Sequence, residues 1–195
     1  SEKRGILETR RVTQSVDNDY QPVQQQLTTG ITVSDRYLIQ EIVGVGGMGS
    51  VYRARDLHFP NVVKLVAVKE MVNLAPDPKI RKTIIENFER EANILATLTH
   101  PSIPSIFDYF SSDERSYLVL DYINGSDLEA VVSNADGFLS SAQVVSWAIE
   151  LCDVLSFLHT HKPDPIIFRD MKPSNVMLDN HGHIMLVDFG IAKQF

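Results

Sequence analysis

The densest chemistry in the chain lies near its C-terminal end, in Asp170-Met171-Lys172-Pro173-Ser174-Asn175. An acid that can take up a proton, a cation two residues on, and an amide oxygen follow one another in fixed order. Asp188, heading Asp188-Phe189-Gly190, adds a carboxylate after a short strand-like stretch. Asn175 and Asp188 are hard oxygen donors of the kind Mg²⁺ prefers. Far upstream, Gly44-Val45-Gly46-Gly47-Met48-Gly49-Ser50-Val51 fits the pattern Gly-x-Gly-x-x-Gly-x-Val. Glycines there let backbone amides approach phosphates without a Cβ in the way. Lys69 ends the apolar run Val66-Ala67-Val68. A phosphate cradle, a cation, oxygen ligands and a proton acceptor are together the parts needed to move the γ-phosphoryl group of ATP onto a hydroxyl.

Each part has a plainer reading when taken alone. The glycine spacing also occurs in dinucleotide-binding turns, but those run from a strand into a helix. Here Ser50-Val51-Tyr52-Arg53-Ala54 is again strand-like, so the loop reads as a hairpin lid over a nucleotide. An isolated strand lysine commonly serves solubility. Lys69 acquires a partner by periodicity. On the helix expected over Lys79–Leu98, Ile84, Phe88, Leu95 and Leu98 share one face, and Glu91 falls in that stripe. A carboxylate facing inward is costly unless paired, and Lys69 is the obvious cation. Glu89 points elsewhere and reads as surface.

The elements that must position these groups follow from texture. Residues 1–34 are rich in Gln, Thr, Ser and Asp without sustained periodicity, and read as a disordered tail. Thr9, Thr13, Thr28 and Thr29 are possible phosphate acceptors within it, although a solvated linker is the simpler reading. Short β-rich runs are expected over 37–43, 50–55, 64–70, 106–110 and 116–121, with the helix inserted after the third. Pro101 closes that helix region, because proline disfavours helix at the residue before it. Asn124-Gly125-Ser126 breaks the pattern as a hinge. Beyond it Ser140 and Gln143 have capping-box spacing, and Val144, Ala148, Leu151, Val154, Leu155 and Leu158 form an apolar stripe that Pro163 and Pro165 terminate. Two last strands are expected at 176–178 and 184–187 around the turn Asp179-Asn180-His181-Gly182.

On these motifs the segment from Tyr37 to Phe195 resembles a bacterial, eukaryotic-like Ser/Thr protein kinase. The resemblance implies an α+β protein-kinase-like fold: a five-stranded antiparallel N-lobe sheet with one helix, and a partial helical C-lobe. The lobes would be 35–123, including the hinge, and 124–195, with the catalytic loop and Asp188-Phe189-Gly190. It implies ATP and Mg²⁺ as cofactors. Gly44, Gly46, Gly47 and Gly49 would cover the phosphates, with Val51, Ala67 and Met177 against the adenine. Leu120 would be the gatekeeper. The Asp121 carbonyl and the Ile123 amide would bond the base, and Asp127 would reach the ribose unless it only caps a helix. Lys69, held by Glu91, would contact the α- and β-phosphates. Asp170 would be the base that orients the acceptor hydroxyl, Lys172 would neutralise the moving phosphoryl group, and Asn175 and Asp188 would ligate Mg²⁺. The Asp-x-Lys arrangement accompanies Ser/Thr specificity in the family. One residue departs from the pattern: Phe168 stands where the family usually has His, keeping a stacking partner for Phe189 but donating no hydrogen bond.

Composition agrees. The net charge of −7 leaves no basic patch for nucleic acid, and 44% hydrophobic residues suffice for a core. The single cysteine, Cys152, fits a reducing compartment, so a cytoplasmic setting is expected. No apolar run reaches the roughly 20 residues of a membrane span, so no membrane segment is expected in this chain, with any tether lying outside it. Protein Ser/Thr hydroxyls are the expected acceptors. The alternatives are an ATP-binding interaction module without catalysis and a small-molecule phosphotransferase of similar fold. The family's activation segment and later helices are expected beyond Phe195, so this piece is expected to be inactive toward proteins on its own.

Overall fold

The structure, a computed structural model, describes residues 26–46, 49–72, 75–112, 114–190 and 192–194. The tail up to residue 25, with Thr9 and Thr13, and Gly47 of the glycine loop lie outside the described residues. The first lobe is built on one antiparallel sheet. Its strands are β1 (Thr32–Val33), β2 (Tyr37–Gly46), β3 (Gly49–Asp56), β4 (Leu65–Val72), β5 (Ile106–Ser112) and β6 (Arg115–Asp121), ordered β1-β2-β3-β4-β6-β5. The five strands expected from the sequence are β2 to β6. The sixth, β1, falls inside the segment read as tail and pairs Val33 with Tyr37. Ser34 and Asp35 turn the chain with φ of 52° and 51°, a left-handed pair that small polar residues tolerate. Too short to show alternation, β1 carries no readable strand period.

The helix α1 (Pro78–Ala96) starts where capping chemistry places it: Asp77 accepts from the Lys79 amide, and Pro78 needs no N–H in the first turn. It ends at Ala96, before the expected Leu98, where the Thr97 and Leu98 amides tighten onto the Ile94 and Leu95 carbonyls at 3.0 and 3.1 Å. Its buried residues Phe88, Glu91, Ala92, Ile94 and Leu95 face the sheet.

The expected hinge region is more ordered than its composition suggests. β7 (Gly125–Asp127) pairs with β9 (Val176–Asp179), which pairs with β10 (Ile184–Leu186). A Cβ on Gly125 would stand 1.9 Å from the Leu178 carbonyl oxygen, so only glycine allows this strand approach. Asp127 then caps the short helix α2 (Leu128–Ser133), accepting from the Ala130 amide at 2.8 Å.

Helix α3 (Ser141–His159) begins at Ser140, whose hydroxyl accepts from the Gln143 amide. Its inward face differs from the expected stripe. Trp147, Val154 and Leu158 are buried and Leu151 and Leu155 partly so, whereas Val144 and Ala148 are exposed. By length and composition α3 could cross a membrane; of its residues Trp147, Val154 and Leu158 belong to the same apolar core as Ile166, Ile184 and Leu186, while Val144, Val145 and Ile149 are exposed. The two-residue strands β8 (Ile166–Ile167) and β11 (Lys193–Gln194) pair antiparallel.

Two cores result. The larger runs between the lobes, joining Met71, Phe88, Leu95 and Leu118 to Leu158, Phe168 and Phe189. The second lies on the opposite face of the N-lobe sheet and holds Val33, Tyr37, Ile39, Tyr52, Val66, Val68, Tyr117 and Val119.

Candidate active site

Strand alternation aims the residues of β4 at two different environments. Val66 and Val68 enter the outer core, while Ala67 and Lys69 face α1 and the second lobe. Helix α1 brings Glu91 to the end of Lys69, with Nζ 2.7 and 2.8 Å from the two carboxylate oxygens. Glu91 is only 3% exposed, which makes this pair the condition for its charge. Asp188 reaches the same ammonium at 3.1 Å. Burial works against the charge on Lys69, but Glu91 and Asp188 outweigh it and hold the lysine above its ordinary value. A single ammonium therefore joins the first lobe's helix to the second lobe's Asp188.

A second cluster forms on the loop after β8. Lys172 Nζ lies 2.9 Å from the Asp170 carboxylate. The Asn175 amide nitrogen donates to the same Asp170 oxygen at 2.8 Å and to the Asp170 carbonyl at 2.9 Å. The hydrogen bond from Lys172, with that from Asn175, holds Asp170 below the usual carboxylate range, so it is ionised and able to accept a proton at neutral pH. Asn175 lies in the turn Pro173–Asn175, and its carbonyl accepts from the Val187 amide at 3.0 Å, bringing the cluster beside Asp188.

Backbone strain concentrates in these two segments. Arg169 and Asp188 have φ of 67° and 65°. Non-glycine residues in that region cost about 1–3 kcal/mol each and persist where the surroundings over-determine them. Phe168 and Phe189 supply part of that hold, meeting edge to face with ring centroids 5.1 Å apart. The contact of Phe168 with Phe189 expected from the sequence is present, but edge to face, not stacked.

Both clusters open on one cavity of about 590 Å³. Of the residues singled out by the sequence, Gly44, Gly46, Gly49, Val51, Lys69, Glu91, Asp170, Asn175 and Asp188 line it. Its lining does not include Ala67, Leu120, Asp121, Ile123, Asp127, Lys172 or Met177. Lys172 contacts the Asp170 carboxylate, which does line the cavity. Ala67 pairs with Leu120 across β4 and β6, and Met177 pairs with Asp127 across β9 and β7. The Asp121 carboxylate accepts from the Ser105 amide at 2.8 Å. The cavity extends instead along α1 to Ile84, Asn87 and Phe88, residues that sequence reasoning assigned only to packing or not at all. The α1 periodicity that located Glu91 also places Ile84 and Phe88 beside it.

The glycines divide by cause. A Cβ on Gly49 would stand 1.8 Å from the Glu70 carbonyl oxygen, so the protein itself forbids a side chain there. On Gly44 and Gly46 a Cβ would meet its nearest neighbours at 3.8 and 3.7 Å, ordinary contact distances. Among the described residues no atom requires glycine at those two, which leaves room to be filled from the cavity.

The donor set fits a hard divalent cation with phosphates. Asn175 uses its N–H groups on Asp170, leaving the side-chain oxygen as the atom it can offer. Asp188 is half exposed on the cavity wall. Mg²⁺ typically takes one or two such protein oxygens and completes its shell with phosphate and water. Among the described residues no three His, Cys, Asp or Glu side chains form a self-sufficient metal cage.

Comparison with known proteins points the same way. Residues 37–195 match the protein kinase domain family model. The serine/threonine-protein kinase PknB of Mycolicibacterium smegmatis is 34% identical over 171 residues, 86% of this chain and 26% of that protein. Serine/threonine-protein kinase C of Synechocystis sp. is 37% identical over 165 residues, 83% of this chain and 30% of that protein. The chain thus spans under a third of the length of these curated relatives. The solved structure described as PpkA-294 apo form superposes with a TM-score of 0.76 at 21% identity, over 85% of this chain and 62% of that one, a likeness of fold.

Proposed function

The chain belongs to the protein kinase family, and from that premise we propose that the protein carrying it transfers the γ-phosphoryl group of ATP to Ser or Thr hydroxyls of other proteins. The observation that supports this best is the convergence of two clusters on one cavity: Lys69 between Glu91 and Asp188, and Asp170 between Lys172 and Asn175. The first supplies a fixed cation for the nucleotide phosphates. The second supplies a base and a cation for the acceptor.

In the proposed reaction the bond from the γ-phosphorus to the β,γ-bridging oxygen breaks as a bond to the acceptor oxygen forms. Asp170, ionised, takes the hydroxyl proton. Lys172 lies against the Asp170 carboxylate and offers its charge to the oxygens in transfer. Lys69 is held by Glu91 to face the phosphates, and Gly44, Gly46 and Gly49 keep the hairpin backbone close above them. Bound Mg²⁺, held through Asn175 and Asp188, would neutralise phosphate charge. Val51, Ala67, Leu120 and Met177 are assigned to the adenine, with the Asp121 carbonyl and Ile123 amide toward its edge. Asp127 is engaged as a helix cap, and its proposed ribose contact would use the remaining carboxylate oxygen. Completeness of both clusters favours phosphotransfer over nucleotide binding alone. The names of the relatives support Ser/Thr acceptors, and a cytoplasmic setting is proposed from the unpaired thiol of Cys152.

The test is transfer of label from γ-labelled ATP to a generic acceptor such as casein, followed by phosphoamino-acid analysis, in the protein that carries this chain. Phosphoserine or phosphothreonine is expected, and Asp170→Asn should reduce the rate about 10²- to 10⁴-fold while ATP binding persists. Near-normal turnover in Asp170→Asn would refute the role given to Asp170.

A further inference from the structure

Glu70 follows Lys69 and points to the opposite face of β4. It is a carboxylate 3% exposed, buried beside the outer core. Such a group is retained only where its charge is answered. Arg115, from β6, ion-pairs with it. Tyr52, from β3, donates its hydroxyl to Glu70 at 2.8 Å. Glu70 and Tyr117 are paired across β4 and β6, and the Tyr117 phenol is pushed up to about 12 by burial and by the Glu70 charge. Three neighbouring strands are therefore tied at one carboxylate: β3 with the lid residues Gly49 and Val51, β4 with Lys69, and β6.

The backbone of the same residue holds the lid. Gly49 lacks a side chain because the Glu70 carbonyl occupies the place of its Cβ. The Glu70 side chain grips Tyr52, three residues along the same strand. Any displacement of Glu70 is thus carried to the glycine hairpin on one side and to Lys69 through the peptide bond on the other.

The network is closed by the segment that precedes the sheet. The Leu27 amide donates to the Tyr52 hydroxyl at 3.0 Å, and the Leu27 side chain packs on the outer core. Thr29 donates to the Gln40 carbonyl at 3.0 Å, the Gly30 amide to the Ile39 carbonyl at 2.9 Å, and β1 joins β2. The Tyr52 hydroxyl thus accepts from the segment while donating to Glu70. Hydrogen bonds in such a chain polarise and strengthen one another.

We infer that residues Leu27–Val33 form an intramolecular strap, and that the relay Leu27–Tyr52–Glu70–Arg115 positions the glycine hairpin and Lys69 for the nucleotide from the far side of the sheet. Tyr52 and Glu70 are positioning residues, since neither the Tyr52 hydroxyl nor the strap faces the phosphates. The inference rests on Lys69 and the hairpin being a nucleotide site. Because coupling is reciprocal, nucleotide should tighten the strap as the strap tightens nucleotide binding.

The test compares the full chain with Tyr52→Phe, Leu27→Pro and the double variant, with Ile184→Val as a substitution in the other lobe that loosens packing without touching the relay. Hydrogen exchange without nucleotide reads the mechanical half, and calorimetric titration with Mg·ATP reads the binding half. Faster exchange at Ser50 and Val51 is expected in both relay variants and not in Ile184→Val. Mg·ATP affinity should fall about fivefold or more in each, with the double variant no weaker than the weaker single one, because both break one path. Mg·ATP should in turn slow exchange of the Leu27 amide in the unmodified chain. Unchanged exchange and unchanged affinity in Tyr52→Phe would overturn the inference while leaving the nucleotide site standing. If exchange rises as expected but the unmodified chain binds no Mg·ATP, the coupling stands and the nucleotide assignment of Lys69 fails.

Discussion

Individual residues here act through the partners that fix their charge. Lys69 is the clearest example: in Lys69→Met, Glu91 and Asp188 lose their shared cation, and breaking a buried pair from one side costs on the order of 3–5 kcal/mol, less here because Lys69 is partly exposed. The sequence located Lys69 and Glu91 as partners because an acid in an apolar helical stripe needs a cation. It did not reveal that Asp188 shares that cation, since nothing local relates positions 119 residues apart. The relay at Glu70 was missed although its signal was present: an acid and two tyrosines at core-facing positions of three neighbouring strands. Asp56 behaves similarly. Its bidentate hydrogen bonds from Arg36, at 2.9 and 2.7 Å, hold its carboxyl below the ordinary aspartate value. A depressed folded value means stability that is complete above the unfolded value of about 3.9 and is lost as pH falls through the lower folded one. Urea midpoints measured between neutral pH and pH 2 should therefore fall less steeply in Asp56→Asn than in the unmodified protein. Equal acid slopes would show that this pair contributes nothing to acid sensitivity.

At the scale of elements, the site depends on where strands and helices begin and how closely they approach. Capping spacing at Ser140 and Gln143 made the start of α3 legible, and the spacing of Ile84, Phe88 and Leu95 with Pro101 beyond made α1 legible to within a few residues, while its Asp77 cap went unread. The inward face of α3 was less legible: the sequence stripe included Val144 and Ala148, but the core that takes Trp147 instead is completed by residues outside the helix, Ile166, Ile184 and Leu186 among them. The strand β1 and the pairing of β7 with β9 left no periodic trace in so few residues. The glycine pattern was read as one device, yet it contains two. Gly49→Ala must push β3 away from the Glu70 carbonyl and should cost about 3 kcal/mol, the upper end for overpacking. Gly44→Ala meets its nearest neighbour at 3.8 Å and should leave stability within about 0.5 kcal/mol while weakening nucleotide binding. Urea denaturation of the two variants checks this, and a large loss in Gly44→Ala with none in Gly49→Ala would reverse the division.

The whole molecule brings two clusters, one on the sheet and α1 and one on the loop after β8, to one opening. The core between the lobes sets their spacing: Phe168 and Phe189 hold the strained loop segments, and the Lys69–Asp188 contact crosses from sheet to loop. Of the residues the sequence motifs singled out, Lys69, Glu91, Asp170, Asn175 and Asp188 meet at the cavity, whereas Leu120, Asp121, Ile123, Asp127 and Met177 do not line it, and the cavity runs along α1 to Ile84 and Asn87, which the motifs did not indicate. The opening is proposed to be an Mg·ATP site whose metal is held through Asp188 and Asn175. Calorimetric titration with ATP, in the presence of Mg²⁺ and again with the metal chelated, tests it most directly in the unmodified chain and in Asp188→Asn. Saturable binding that requires Mg²⁺ and is lost or severely weakened in Asp188→Asn is the expected result. Binding of equal strength with and without the metal, or undiminished in Asp188→Asn, would contradict the assignment.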